Sequence, residues 1–310
     1  MTPIEKLLVE LLKIPSVTGQ EKEIGRFLVS ELRDFKIEKQ LVEKDRFNVI
    51  ARKGDPQIHI VVHMDTVPGV IPVKITKDKI FGRGAIDNKG NIAGAIMAAR
   101  KMENIGLIFT VGEEVDFAGA KKIKIKKGKF IVMEPTKMKF LAGQRGAIAF
   151  DVIAKGVQTH SSLDFKKEDS AVYNLLNTLS ELYKKGWTAF NAVIFEGGEK
   201  DSIVPPRARA EIFVRPKDLV EYRNIKAELG RIKGKNIEVR MKEAMPPCFS
   251  GILKNGKVAP FFSEMFFFKN SVLFGVGDIA NAHTADEFVS RKELNRLEGE
   301  LIELAKKLEA

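Results

Sequence analysis

Four short apolar runs stand out along the chain: Ile58 to Val62 (around His59), Leu107 to Val111, Phe130 to Met133, and Ser271 to Phe274. Uninterrupted runs of this length predict strands buried on both faces. That implies an α/β fold with a mostly parallel sheet and helices on both faces. Capping boxes, a Ser or Thr followed three residues later by Glu, occur at Thr2–Glu5, Thr18–Glu21 and Ser290–Glu293. They predict helices over residues 3–12, 19–34 and 291–308, and the alanine-rich stretch from Asn88 predicts a fourth.

Between Gly143 and Glu243 the pattern changes to strand (145–154), helix (169–184), strand (190–196), strand (207–214), helix (217–232) and strand (236–242). This βαββαβ order is ferredoxin-like. It lies between the third and fourth apolar runs, so the simplest organisation is an insertion of residues 143–243 into a domain made of 1–142 and 244–310.

Composition narrows the function. With 310 residues and 44% apolar content, the chain can bury a sizeable core. Its apolar runs fall short of the ~20 residues that span a bilayer, so no membrane is expected. The N-terminus carries an acid early and shows no signal-peptide pattern, and the only cysteine, Cys248, excludes an internal disulfide. Both point to the cytoplasm. Lys and Glu are abundant and Gln is scarce, at five residues, a pattern common in thermophile proteins. A net charge of +11 would steer an acidic partner. No interleaved Arg and aromatic stripe appears, so nucleic acid is not the expected partner.

The chemistry collects where the strands end. Open α/β sheets bind ligands at the carboxyl ends of their strands. The first run leads to His63-Met64-Asp65, the second to Glu113-Glu114, the third to Glu134, and the last to a loop with His283. His63 and Asp65, two positions apart at the end of a strand, share one face, so Asp65 can reach the His63 ring and fix the tautomer of a ligating His63. Asp87, in the glycine-rich turn Gly82–Gly90, reads on its own as a helix N-cap; neither phosphate-loop nor dinucleotide spacing is present there. Glu113 and Glu114 cannot share a face, so one can bind metal while the other addresses water. Two His and three carboxylates, one of them able to bridge, suit two divalent ions, zinc or cobalt. His59 reads as a satisfied core residue, and Cys248 as a packed thiol. No Ser or Cys nucleophile motif is found. A basic binding module on a disused hydrolase scaffold is the remaining non-enzymatic reading, and intact ligand types at all five positions argue against it.

His63-Met64-Asp65-Thr66-Val67-Pro68, Gly84-Ala85-Ile86-Asp87-Asn88-Lys89-Gly90, Gly112-Glu113-Glu114, Glu134-Pro135-Thr136 and Ala282-His283-Thr284 together resemble the dinuclear zinc exopeptidase and deacylase family. This is the group of carboxypeptidase G, acetylornithine deacetylase and succinyl-diaminopimelate desuccinylase. The resemblance implies a metallopeptidase domain with an inserted lid and dimerisation domain. His63 and Glu134 would hold one metal, Glu114 and His283 the other, with Asp87 bridging and the peptide bond after it cis. Glu113 would be the general base and Asp65 the partner of His63. Gly156 to Ser162 resembles the lid motif, which makes His160 the oxyanion donor, often acting on the neighbouring subunit of a homodimer. Arg215 would hold a substrate carboxylate. Ser202 stands where the family has Asn, and the usual Pro and Gly after the lid His are missing between Leu163 and Asp169. Within the family, the short length and Gly198 to Pro205 are most similar to archaeal lysine/ornithine hydrolases acting on an acidic amino-group carrier protein in lysine and arginine biosynthesis. Small-molecule deacylation and dipeptide cleavage are the alternatives. Lys121 to Lys129 is a candidate docking surface for the carrier.

Overall fold

In the computed structural model, residues 1–125, 127–232, 234–253 and 256–309 are described. The chain folds as two units, one made of Met1–Gly143 with Phe249–Val258 and Ser263–Ala310, the other of Gln144–Cys248 with Ala259–Phe262.

The first unit contains strands β1 (Lys36–Glu43), β2 (Arg46–Lys53), β3 (Ile58–His63), β4 (Ile105–Thr110), β5 (Lys129–Met133) and β6 (Ser271–Phe274), in the sheet order β1-β2-β4-β3-β5-β6. The predicted apolar runs form the centre, where β4–β3, β3–β5 and β5–β6 pair in parallel. The β1–β2 hairpin was not legible in the sequence, and it joins antiparallel at the edge. Mostly exposed, with Lys and Glu along its length, β1 resists pairing with another chain.

Helices α1 (Pro3–Leu12), α2 (Lys22–Glu31), α3 (Lys89–Arg100) and α4 (Arg291–Glu309) share one core with alternate residues of the sheet, such as Ile60, Val62, Phe109 and Met133. On the other face Phe130 stacks on His59 and packs against Phe268, beside the short helical turn Glu264–Phe267. No described helix is long and apolar enough to cross a membrane.

Of the three capping boxes, the one at Thr2–Glu5 forms in full, whereas at Ser290–Glu293 only half is present: Ser290 Oγ accepts from Glu293 N at 3.4 Å, and the Glu293 carboxylate accepts from Gly277 N at 3.1 Å. The Thr18–Glu21 box does not form. Glu21 is instead locked to Arg46 by two hydrogen bonds, of 2.8 and 3.0 Å, and helix α2 starts later than expected. Glu5 does more than cap. Its carboxylate accepts from Arg291 Nε at 2.8 Å, Arg291 Nη2 at 2.9 Å and Asn295 Nδ2 at 2.8 Å, so it ties α1 to α4. The Arg291 hydrogen bond lowers its pKa from 4.5 to about 2, against the effect of burial. A depressed carboxyl contributes stability that is complete above the unfolded value and lost as pH falls through the folded one. Between pH 4.5 and 2 the protein should therefore lose roughly 3 kcal/mol that Glu5→Gln has already forfeited at neutral pH. Urea melts across that range test this: parallel acid limbs for both proteins would refute it.

The second unit is built on a four-stranded antiparallel sheet and two α-helices. Its strands, Ala147–Lys155, Asn191–Gly197, Arg207–Val214 and Ile237–Met245, lie in the order second, third, first, fourth. Helices Ala171–Tyr183 and Leu219–Arg231 cover one face, packing Leu175, Leu182, Ile225 and Leu229 onto Phe150, Val152, Ala210 and Ile212. This is the predicted ferredoxin-like pattern, with boundaries shifted by a few residues.

Candidate metal centre

The sheet's carboxyl edge gathers the predicted ligands into two overlapping triads. One is His63, Asp87 and Glu134; the other is Asp87, Glu114 and His283. Within each, one ligand atom per residue lies within 4.8 Å of the others. Asp87 belongs to both. Its Oδ1 is 2.9 Å from His63 Nε2, and its Oδ2 is 3.3 Å from His283 Nε2. His283 Nε2 also lies 3.1 Å from Glu114 Oε2.

Each predicted ligand is delivered by a local feature of the sequence. His63 is the last residue of β3, and Glu134 follows β5 directly. Glu113 and Glu114 follow β4 through Gly112, whose φ of +78° suits a residue without a Cβ. Asp87 ends the glycine-rich turn that opens α3, and the Asp87–Asn88 peptide is cis. Asn88 and Asn91 pin the far side of that turn: Asn88 donates to Met133 O at 2.8 Å, and Asn91 to Asn88 Oδ1 at 2.6 Å. The N-cap reading of Asp87 does not hold, because α3 begins after Asn88 without a side-chain cap.

Asp65 stands beside His63 as expected, but its carboxylate also has other partners. Strand β3 stops at His63. The closest acceptor to His63 Nδ1 is the Asp65 backbone carbonyl at 3.0 Å, while the carboxylate stands 3.7 Å away. A proton given to that carbonyl leaves Nε2, the atom facing Asp87, as the ligating nitrogen. The Asp65 carboxylate also accepts from Glu113 N at 3.1 Å, Glu114 N at 3.2 Å and Thr18 Oγ1 at 2.8 Å. It therefore holds the Glu113–Glu114 backbone, and Thr18, read in the sequence as a helix cap, supports it.

The electrostatics call for cations. Burial, reinforced by neighbouring carboxylates, raises Glu113 and Glu134 well above the usual carboxylate range. Burial and Asp87 raise Glu114 as well. Burial also opposes charge on Asp87, but hydrogen bonds from His283 and His63 outweigh it and hold that carboxyl below its usual range. Hydrogen bonds to Asp87 and Glu114 raise His283 to about 10. Acids that resist ionisation beside imidazoles that retain protons form a set whose charge two cations would balance, displacing those protons. Among the described residues Glu134 Oε1 is buried without a hydrogen-bond partner, as suits an oxygen that would bind a cation. The donor types, nitrogen and carboxylate oxygen, suit zinc and cobalt.

Two of the remaining sequence candidates belong to the second unit. His160, in the second unit, accepts at Nδ1 from Ser162 N at 3.2 Å on the two-residue strand Thr159–His160. Arg215, in the same unit, lies over the Phe213 ring at 4.5 Å. His59 is a buried core residue as expected, but among the described residues its Nδ1 has no hydrogen-bond partner, so it is not fully satisfied; burial lowers its pKa to about 4. Burial pushes the Cys248 thiol up to about 12, which disfavours a nucleophilic role. The sequence reading missed Glu264. It is buried 2.8 Å from Thr110 Oγ1, and burial raises it to about 7.

The model of peptidase family M20/M25/M40 matches residues 59–307. An M20-domain peptidase protein of Schizosaccharomyces pombe is 30% identical over 322 residues, covering 92% of this chain and 79% of that protein. A probable carboxypeptidase of Aspergillus clavatus is 30% identical over 261 residues, covering 69% of this chain. The chain spans only 58% of that relative's length. Among solved structures, a Staphylococcus aureus tripeptidase shares the fold at a TM-score of 0.81 and 19% identity, over 99% of this chain and 98% of its own. A dinuclear metal-binding peptidase of Bacillus subtilis does so at 0.73 and 16%, over 99% and 98%.

Proposed function

The chain belongs to peptidase family M20/M25/M40, and on that premise we propose that it is a two-metal amide hydrolase. The observation that carries this reading is Asp87 standing in both triads, with Glu113 beside them. Two divalent ions, zinc by preference and cobalt as an alternative, would supply Lewis-acid polarisation of the scissile carbonyl and acidify water. His63 and Glu134 would hold one, Glu114 and His283 the other, with Asp87 shared. Glu113 takes the proton of the attacking water and returns it to the leaving amine. Asp65 fixes Glu113 and Glu114 through their backbone N–H groups. His160 as oxyanion donor and Arg215 as substrate-carboxylate anchor rest on the family resemblance.

For substrate, we propose release of lysine or ornithine from the C-terminal glutamate of an acidic amino-group carrier protein in the cytoplasm. The net charge of +11 supports an acidic partner, as do the exposed Lys121, Lys122, Lys124 and Lys127; Lys126 of the same run lies outside the described residues. Relatives named as carboxypeptidases favour a second reading, cleavage of small peptides or acyl-amino acids. Homodimerisation through the inserted unit is supported by the edge strand Asn191–Gly197, exposed along its length with Val193 and Phe195 outward. The deciding experiment incubates the zinc- or cobalt-loaded protein with carrier-lysine, carrier-ornithine, acetylornithine and a dipeptide, and follows products by mass spectrometry. Carrier amides should be turned over fastest. Faster cleavage of the small amides would replace the carrier reading, and no hydrolysis of any would overturn the enzyme.

A further inference from the structure

Glu287 has no role in the proposed chemistry, yet it is almost fully buried, at 1% exposed, and its carboxylate takes four donors. Oε2 accepts from Gly84 N at 3.0 Å and Arg83 Nη1 at 2.9 Å; Oε1 accepts from Ile86 N at 3.0 Å and Asp87 N at 3.2 Å. Its backbone carbonyl also receives Gly82 N at 3.2 Å. Three of the four donors are backbone N–H groups of one turn, which precedes α3, so that helix cannot pair them. A buried N–H without an acceptor is costly, so this carboxylate selects the conformation in which all three converge. Strand Phe288–Ser290 pairs with Lys79–Phe81, bringing Glu287 to the foot of that turn. Four residues earlier, the same segment carries His283, whose Nε2 is 3.3 Å from Asp87 Oδ2. Residues 283–287 thus grip Asp87 at both its backbone and its carboxylate.

The geometry points to Glu287 as a positioning residue that aims the Asp87 carboxylate at both triads by accepting the N–H groups of its turn. This rests on the two-metal reading of Asp87. A glutamine at this position keeps the volume but turns an NH₂ against backbone N–H groups. Glu287→Gln should therefore bind zinc 10- to 100-fold more weakly at one site or both by calorimetry. It should also alter the visible absorption of the cobalt-loaded protein, and lower kcat with little change in KM. Arg83→Ala leaves the three backbone donors in place and should bind zinc as the wild type does. Should the glutamine variant not fold by circular dichroism, Glu287→Asp, which withdraws the carboxylate by one methylene, gives the same readouts. Wild-type protein that takes up fewer than two cations would sink the two-metal reading itself. Two cations in the wild type, with unchanged zinc affinity and cobalt spectrum in both Glu287 variants, would overturn the positioning role alone. So would an Arg83→Ala protein as impaired as Glu287→Gln.

Discussion

Replacing Glu113 with glutamine should lower kcat by about 10²- to 10⁴-fold, the range a positioned general base contributes, while both cations remain bound. Glu113 and Glu114 are neighbours with different surroundings. Glu114 faces His283 at 3.1 Å, whereas among the described residues none donates a hydrogen bond to the Glu113 carboxylate. Its backbone is fixed by Asp65 Oδ1 at 3.1 Å, so the side chain has a set origin and a free acceptor. Burial and the carboxylates around it raise its proton affinity, as a base that must take and return a proton requires. Ligation is the competing role, since His63, Glu113 and Glu114 also lie close enough to share an ion. Metal content measured alongside the rate separates the two. A variant that loses one cation makes Glu113 a ligand, and one that keeps both cations and near-normal turnover removes it from the chemistry.

The parts of this centre that were legible in the sequence share a cause. Strands β3, β4 and β5 are buried on both faces, so their composition marks them, and the His and Glu residues at their ends come together because the strands deliver them to one edge. The β1–β2 hairpin gave no such mark. β1 is an edge strand with Lys36, Glu38 and Glu43 among its mostly exposed positions, so no apolar period appears.

Residues that act through distant backbone were illegible for another reason. Glu287 contacts a turn some 200 positions earlier, and Thr18 reaches Asp65 across 47. Neither contact leaves a periodic trace, and Thr18 even matched a capping pattern that its own neighbour Glu21 abandons for Arg46. Strand alternation placed Asp65 beside His63 but could not show its bonds to the Glu113 and Glu114 backbone, which come from a different strand.

Asp87 gives the widest effect. Because it stands in both triads, Asp87→Asn should disturb both cations at once, whereas His283→Ala leaves His63, Asp87 and Glu134 able to hold one. Lewis-acid stabilisation amounts to several kcal/mol, and at 1.36 kcal/mol per tenfold its loss lowers kcat by about 10³-fold or more. The same change is readable without substrate. A ligand that binds only the folded state at 100 times its Kd stabilises it by about 2.7 kcal/mol, so saturating zinc should raise the wild-type Tm by several degrees. Asp87→Asn should lose that rise and show fewer than two cations per chain, while His283→Ala keeps part of it. Equal metal content and equal zinc-dependent Tm in the Asp87 and His283 variants would mean that Asp87 serves one site only. The two triads would then be separate centres instead of one shared by a common carboxylate.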